Sequence, residues 1–179
     1  MLANCEEVDL ILGEVLVEPG DLMRHVHFPT GGSFISMITP VDGASALEVG
    51  LVGHEGMHGV SLALGVDVAL VHARVQGGGR ALRMSAAAFK RELRHSPALR
   101  RRMNHYLYVL MGQLAQSSLC TRYHVIEARL ARWLLMTRDR AHSDQFQITQ
   151  RFLGWMLGVR CSGITCAANN LQKRALITY

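Results

Sequence analysis

The sequence predicts an α+β protein whose first half forms antiparallel strands and whose second half forms helices. Three observations predict it. Short segments rich in β-branched residues alternate with turn residues up to about residue 84. From Ser85 onward the apolar residues recur at helical spacing. Small and apolar residues within 150–179 follow the spacing of two crossing helices. With 179 residues and 49% hydrophobic content, the chain can form one large domain or two small ones.

The predicted strands of the first half are short and regularly spaced, which is typical of an antiparallel sandwich or barrel. Asp42-Gly43 is expected to form a turn between two of them. Gly77-Gly78-Gly79 is expected to connect a hairpin, and it is no phosphate-binding loop because no Lys-Ser or Lys-Thr pair follows it. In chain order, the predicted strands cover residues 8–12, 15–17, 25–28, 33–38, 46–52, 68–76 and 80–84.

A long helix is predicted to begin at Ser96-Pro97, an N-cap followed by proline at the first helical position, and to end near Thr121. Apolar residues recur along it with spacings of four, three and four residues, as in a coiled-coil seam. The simplest partner for this seam is a second copy of the chain in a parallel homodimer, and the alternative is packing on the β-domain. The seam residues are Met103, Leu107, Leu110 and Leu114.

The last thirty residues predict a helix-turn-helix. Gly154 permits close approach of the second helix, and Gly158 can adopt positive φ and end the first. Ser162 is the expected N-cap of the second helix, although the cap could lie one or two residues earlier. Such a unit places its second helix in the major groove of DNA; an ordinary helical hairpin is the alternative. The facing apolar surfaces comprise Phe152, Leu153, Met156 and Leu157 on one helix and Ile164, Ala167, Ala168 and Leu171 on the other.

The two halves of the chain carry opposite charge. Residues 1–79 hold two basic and ten acidic side chains, a net charge of −8, and residues 80–179 hold seventeen basic and four acidic, a net charge of +13. A basic half joined to an acidic half indicates a module that binds a polyanion, here double-stranded DNA. A solvated basic helix face is the alternative interpretation.

The bulk properties fit a cytoplasmic protein. No apolar run reaches the length of a membrane span, and the N-terminus lacks the pattern of a signal peptide, so we expect no membrane partner. The four cysteines, Cys5, Cys120, Cys161 and Cys166, lack metal-binding spacing and are expected to be reduced thiols.

One segment, His54-Glu55-Gly56-Met57-His58, matches the HExxH pattern of zinc peptidases. That motif requires a helix, and the glycines at 53, 56 and 59 disfavour one. We therefore expect no enzyme activity, no metal and no cofactor.

Several segments together resemble the Crp/Fnr superfamily of transcription regulators. The resemblance implies an N-terminal β-roll of the double-stranded β-helix or jelly-roll type over 1–95, a dimerisation helix over 96–122 and a winged helix-turn-helix over 123–179. It also implies a homodimeric DNA-binding transcription regulator whose sensor domain, similar to cyclic-nucleotide-binding domains, responds to a small-molecule effector, here of unknown identity. The matching segments are residues 14–20 (EVLVEPG), 52–59 (VGHEGMHG), 127–135 (EARLARWLL), and 149–150 (TQ) with 157–160 (LGVR).

At the positions where that resemblance implies nucleotide-binding residues, this sequence has residues of different chemistry. Gly59-Val60-Ser61 stands where cyclic-AMP-binding members carry Gly-Glu-Leu, and Val71-His72-Ala73 stands where they carry Arg-Ser-Ala. A phosphate needs a fixed cation and a ribose hydroxyl an acceptor, and valine supplies neither. On the long helix, Leu114 and Ala115 would face the base without side-chain hydrogen bonds. We expect this sensor not to bind cyclic AMP, although His72 could partly replace the arginine.

The expected DNA-contacting residues favour phosphates over bases. Arg160 and the residues at the start of the first helix are expected to contact the backbone, and the second helix carries no arginine for guanine. We therefore expect weak base discrimination and strong salt dependence. The candidates are Thr149, Gln150, Arg151, Arg160, Cys161, Ser162, Thr165, Cys166, Lys173 and Arg174.

Two further expectations concern the two ends of the predicted winged helix-turn-helix domain. Leu176-Ile177-Thr178-Tyr179 should enter the first strand of an otherwise incomplete wing. His124-Val125-Ile126 offers no capping side chain, so the long helix could continue into the next one without a break. The alternative function is a partner-regulating dimer, or a remnant that no longer binds DNA, with the same sensor fold.

Overall fold

The computed structural model describes residues 4–40 and 46–178, and the predicted turn Asp42-Gly43 lies outside the described residues. The first half forms seven strands in two antiparallel sheets, one ordered β1-β7-β3 and the other β2-β6-β4-β5. The strands are β1 (Glu6–Leu10), β2 (Val15–Val17), β3 (His25–Pro29), β4 (Phe34–Pro40), β5 (Ala46–Val52), β6 (His72–Gly77) and β7 (Gly79–Ser85).

Both sheets contribute to one core. Val26 and Met84 of the first sheet and Ile35, Val52 and Val75 of the second belong to a single buried cluster. This arrangement confirms the predicted β-roll and the α+β class. Antiparallel strands with one buried face explain the alternating apolar residues of the first half.

The glycine run joins two sheets and does not form a hairpin. β6 ends at Gly77 and β7 begins at Gly79, yet the two strands lie in different sheets. Gly79 has φ of +145°, and a Cβ at Gly77 would clash with the ring of Phe34. The prediction of a hairpin here was wrong, because these glycines instead let the chain cross tightly between the sheets.

The strand predicted over 68–76 is shorter in the structure. The backbone of residues 67–69 bonds to the loop around Asp21, with Ala69 N–H donating to the Asp21 carbonyl at 2.9 Å. Sheet pairing therefore starts only at His72. A 3₁₀ helix, Val60–Leu64, which the sequence did not predict, precedes this loop.

Five helices follow the strands: α1 (Ala86–His95), α2 (Pro97–Tyr123), α3 (Ile126–Ala141), α4 (Gln150–Leu157) and α5 (Cys161–Lys173). The Ser96 hydroxyl caps α2 by accepting a bond from Leu99 N–H at 3.2 Å, and Pro97 takes the first helical position, as predicted. At 1.5 Å per residue, the 27 residues of α2 span about 40 Å.

A defined break separates α2 from α3. His124 and Val125 have extended backbones, with ψ of 142° and 158°. The expectation of a continuous helix was wrong. Helix α3 begins without a side-chain cap. Leu130, which is buried, and Ile126, which is half-buried, pack in the core of the head, and this packing stabilises the new helix direction.

The burial of residues along α2 differs from that expected for the predicted dimer seam. Leu110 is buried in the β-roll core, and Met103 packs against the same core. The place of Leu110 in a dimer seam is therefore corrected, because the helical period turns it toward the chain's own sheet. Met103 is only half-buried, and its place in a seam stays a prediction. Leu107 is half-buried, whereas Leu114 is 42% exposed and Met111 67% exposed.

The helices α3 to α5 form a second unit, here called the head. Trp133 and Leu130 of α3 pack with the apolar faces of α4 and α5. Met156 of α4 is fully buried in a separate cluster with Ile38 and Ala46, so the head also rests on the sheet. None of the described helices combines the length and hydropathy that a membrane-spanning segment needs.

Candidate nucleic-acid interface

The first helix of the candidate interface, α4, has the ends that its sequence predicts. The Thr149 hydroxyl accepts a bond from Phe152 N–H at 3.1 Å and caps the helix. Gly158 ends it with φ of +61°. A Cβ at Gly154 would lie 3.0 Å from the Val159 carbonyl oxygen, which shows the close approach that requires glycine.

The second helix, α5, begins at Cys161, two residues earlier than a cap at Ser162 would allow. Arg160 is the N-cap, and its carbonyl accepts bonds from the N–H groups of Gly163 and Ile164. Ser162 therefore lies in the first turn, and the cap lies two residues before it, the earlier of the positions that the sequence left open. The buried face of α5 consists, as predicted, of Ile164, Ala167, Ala168 and Leu171.

The opposite face of α5 is open to solvent. Cys161, Ser162, Cys166 and Lys173 are exposed there, and Thr165 is half-buried. Asn169 lies on the same face but was missed by the sequence analysis. Its position three residues after Cys166 and seven after Ser162 would have identified it. An asparagine amide can form two hydrogen bonds to adenine, which serine and cysteine cannot.

A short contact joins the two helices across the turn. The Thr165 hydroxyl lies 2.5 Å from Gln150 Oε1 and 3.1 Å from the Cys161 carbonyl oxygen. The hydroxyl has one proton, so it donates to one of these oxygens at a time. This bond fixes the side chains of Gln150 and Thr165 relative to each other.

A surface groove of about 680 Å³ runs beside the start of both helices. Arg151, Arg160 and Thr149 line it together with Trp155 and Cys161. Two guanidinium groups next to the N-terminus of α5 favour an anion such as a phosphate.

Much of the positive charge lies on residues that do not line this groove. Residues 80–123 hold nine basic and one acidic side chain, a net charge of +8, whereas residues 124–179 hold eight and three, a net charge of +5. Exposed arginines at 91, 94 and 100–102 surround the junction of α1 and α2. They lie on α1 or in the first turns of α2, and none of them lines the groove.

Ion pairs engage several basic residues of the head. Arg174 bonds to Glu127 at 2.8 Å, Arg138 to Asp144 at 2.9 Å and Arg140 to Glu55 at 2.7 Å. Arg129 donates to the Leu157 carbonyl. Arg174 is thus less suited to a phosphate than expected. Within the described part of the chain, Arg151, Arg160 and Lys173 are the exposed head cations for which no ion pair is seen.

The predicted effector residues occupy two elements of the sensor. Gly59 caps the 3₁₀ helix that contains Val60 and Ser61, and its φ is +87°. His72 and Ala73 lie on β6, just after Val71. The His72 Nδ1 atom is 2.6 Å from Glu18 Oε2, so a carboxylate already faces the imidazole. Leu114 lies on the exposed part of α2.

The segment with the HExxH pattern forms a turn, as its glycines predict, and its residues contact different partners. His58 and His27 are buried, with their Nδ1 atoms 3.5 Å apart. Burial lowers the pKa of His58 to about 3 and that of His27 to about 4. His54 instead contacts His142 of the head at 3.1 Å.

The short strand expected at the end of the chain does not form. Residues 176–178 are irregular, and Tyr179 lies outside the described residues. Ala175 has φ of +53°, and the N–H of Leu176 bonds back to the Leu171 carbonyl at 3.0 Å. These groups close the end of α5, so the chain does not extend directly into a strand.

Solved structures place this architecture among known folds. The chain is similar to CLP, a c-di-GMP-responsive global regulator from Xanthomonas campestris, with a TM-score of 0.78 and 16% identity over 99% of this chain and 91% of that one. It is similar to FixK2 from Bradyrhizobium japonicum, with a TM-score of 0.78 and 12% identity over 98% and 88%.

A third similar structure is TTHA1359 of Thermus thermophilus, a transcriptional regulator of the CRP/FNR family, with a TM-score of 0.75 and 16% identity over 97% and 89%. No protein-family model and no curated protein matches the chain. The superposed region covers 97–99% of this chain and so includes the two sheets, α2 and the head. The chain has the fold of the Crp/Fnr transcription regulators.

Proposed function

We propose that this protein is a homodimeric DNA-binding transcription regulator that inserts α5 into the major groove. The observation that carries the proposal is the outer face of α5. It is polar and exposed, and it lies beside a groove lined by Arg151 and Arg160. Helix-turn-helix proteins read DNA with this face of the second helix.

The groove and the head cations favour phosphate contacts over base contacts. Arg151, Arg160 and Lys173 surround the outer face of α5 and can neutralise about three phosphates in each protomer. Ser162 and Cys166 provide little base discrimination, and Asn169 is the residue best suited to it. The protein should bind DNA with strong salt dependence and modest sequence preference.

The exposed half of α2 supports a dimer. Tyr108, Met111 and Leu119 are more than half exposed, and Leu114 is 42% exposed. A helix that leaves such apolar side chains open is suited to a partner helix. A two-fold pair of these helices would present two copies of α5 to two half-sites.

The sensor is proposed not to respond to cyclic AMP. Glu18 faces His72 at 2.6 Å, where a phosphate would need an uncompensated cation. Val60 and Val71 offer no acceptor and no donor to a ribose or a phosphate. A thermal-shift comparison of cyclic AMP with c-di-GMP tests this point, and stabilisation by low micromolar cyclic AMP would contradict it.

Fluorescence anisotropy with labelled duplexes tests DNA binding. The titrations are repeated at salt concentrations from about 50 to about 200 mM. Arg160→Ala should weaken binding to all duplexes alike. It should also reduce the slope of log affinity against log salt by about 0.9 per protomer. Arg94→Ala removes an exposed arginine of α1 that does not line the groove, and it is the matched control.

The control variant should bind DNA as the wild type does. Equal losses for Arg160→Ala and Arg94→Ala would show a non-specific charge effect and contradict the role of α5. If neither the wild type nor the variants bind any duplex, the partner-regulating alternative is favoured.

A further inference from the structure

The end of α3 is seated closely on two loops of the β-roll. A Cβ at Gly32 would lie 2.8 Å from the Ala141 carbonyl oxygen, and a Cβ at Gly53 would lie 2.8 Å from Cγ of Arg140. Glycine at both positions permits this approach of the two backbones. Side chains carried by the loops and by the end of α3 are therefore brought within bonding distance of each other.

An ion pair crosses the same contact. Arg140 Nη2 lies 2.7 Å from Glu55 Oε1, and the arginine side chain is only 14% exposed. The same carboxylate oxygen accepts a bond from Gly53 N–H at 3.2 Å. The charges of this carboxylate and this guanidinium therefore offset each other at the contact.

Two histidines meet across the contact as well. His54 precedes Glu55 in the turn after β5, and His142 follows α3 as its C-cap. His54 Nδ1 lies 3.1 Å from His142 Nε2, and the planes of the two rings are inclined by 68°. Both residues are exposed, so ions and water reach the pair from solution.

The separation of the two nitrogens is that of two ligands on one metal ion. A Zn–N bond is about 2.0–2.1 Å long, so two such bonds at a tetrahedral angle hold the nitrogens about 3.3 Å apart. Two bonds at a right angle hold them about 2.9 Å apart. The observed distance of 3.1 Å lies between these values. One ion can therefore bridge both rings with little movement of the chain.

The groups around the pair indicate which kind of ion fits. Imidazole nitrogen suits Zn²⁺, Cu²⁺ and Ni²⁺, whereas Mg²⁺ and Ca²⁺ prefer oxygen ligands. Arginines already engage the neighbouring carboxylates, since Glu55 pairs with Arg140 and Asp144 pairs with Arg138 at 2.9 Å. Across residues 4–40 and 46–178, no group of three or more His, Cys, Asp and Glu is placed to hold a metal. Water would therefore complete a site with two protein ligands.

We propose that His54 and His142 bind one divalent transition-metal ion, represented by Zn²⁺, and that this ion fastens the end of α3 to the β-roll. Without the ion, one ring donates its N–H to the other across the contact. Metal binding shifts that proton to the other nitrogen of the same ring, so both nitrogens at the contact hold the ion. The site does not depend on the proposed function, because neither histidine belongs to the candidate DNA-contacting residues.

This site differs from the zinc-peptidase pattern that contains His54. In that pattern His54 and His58 would share one ion. His58 is instead buried beside His27, and the partner of His54 lies 88 residues further along the chain. Local spacing does not reveal so distant a pair, which explains why the sequence alone predicted no metal.

Isothermal titration calorimetry with Zn²⁺ at about pH 7.5, where free imidazole is neutral, tests the site. The background protein carries Cys161→Ser and Cys166→Ser, which removes two exposed thiols that also take up zinc. His54→Gln and His142→Asn each remove one ligand. Asparagine is chosen at position 142 because it tolerates the left-handed backbone there, where φ is +53°. His105→Gln alters an exposed histidine of α2 and is the matched control.

The background protein and the control should bind one Zn²⁺ with equal affinity. Each ligand variant should bind it at least about tenfold more weakly, since even the outer partners of a ligand contribute about 10–100-fold to metal affinity. The double variant should bind no more weakly than the weaker of the two single variants, because both rings hold the same ion. Two independent sites would instead give losses that add.

Thermal unfolding gives a second measurement. Zn²⁺ binds the folded contact, so it should raise the unfolding temperature of the background protein and of His105→Gln, and of neither ligand variant. Circular dichroism without metal checks that each variant is folded. His54 lies in an exposed turn, so His54→Gln stays informative if the substitution at the helix end lowers stability. The proposal is overturned if the background protein binds no Zn²⁺, if the ligand variants bind it as tightly as the control, or if their losses add.

Discussion

The sensor and the head place their polar groups in opposite ways. The β-roll buries His27 and His58 in its core, whereas the head exposes Ser162, Cys166 and Lys173 on the outer face of α5. Buried titratable groups make stability depend on pH, and exposed ones leave stability almost unaffected while remaining available to a ligand. Changes in the sensor should therefore appear in folding, and changes on the outer face of α5 should appear in binding.

The sharpest contrast lies within α5 itself. Ile164 is fully buried in the head core, and Cys166, two residues later, is exposed. Ile164→Ala should lower the free energy of unfolding by about 3–4 kcal/mol because it leaves a cavity. Cys166→Ala should change it by less than about 0.5 kcal/mol. Urea unfolding measures both, and similar losses for the two variants would contradict the assignment of the two faces.

The second prediction concerns the pH dependence of stability. The pKa values of His27 and His58 are lowered to about 4 and about 3, so the unfolded state binds more protons below about pH 6.5. Each histidine then costs up to about 1.4 kcal/mol per pH unit as pH falls. Burial raises the pKa of Glu48 to about 7. Protonation of this carboxyl in the folded state therefore adds a similar amount of stability over the same interval.

The net expectation for the wild type, from about pH 6.5 to pH 5, is a loss of up to about 1.4 kcal/mol per pH unit. Glu48→Gln removes the opposing gain, so its loss should be about twice as steep. Urea denaturation at several pH values measures the slopes. A wild-type stability that rises on acidification would show that the two histidines are not buried as described.

The third prediction separates base contacts from phosphate contacts on the outer face of α5. Asn169→Ala should reduce discrimination at one base pair of each half-site by about 1–3 kcal/mol and leave the salt slope unchanged. Lys173→Ala should reduce the salt slope and leave the sequence preference unchanged. Anisotropy with single-base variants of one duplex distinguishes them, and a change of salt slope for Asn169→Ala would argue against a base contact.

Local signals were sufficient for most of the fold. Ser96-Pro97 predicted the start of α2, and Gly154 and Gly158 predicted the shape of the turn before α5, because caps and positive φ depend on adjacent residues. The crossing of the glycine run between sheets was not predicted, since sheet membership is decided by partners far along the chain.

The candidate site was predicted less completely. The charge of a segment does not show which side chains pair, so Arg174 was expected to contact phosphate although it bonds to Glu127. Asn169 could have been found from the register of Ser162 and Cys166, and the split of α2 between core and surface could not.

The stoichiometry of the DNA complex tests the central claim most directly. Native mass spectrometry of the protein with a promoter duplex of about 30 base pairs, long enough for two half-sites one helical turn apart, counts the chains bound. We predict two chains per duplex, and we expect Met111→Glu to abolish the complex by disrupting the exposed face of α2. A single chain bound per duplex at every protein concentration, unaffected by that substitution, would contradict the account.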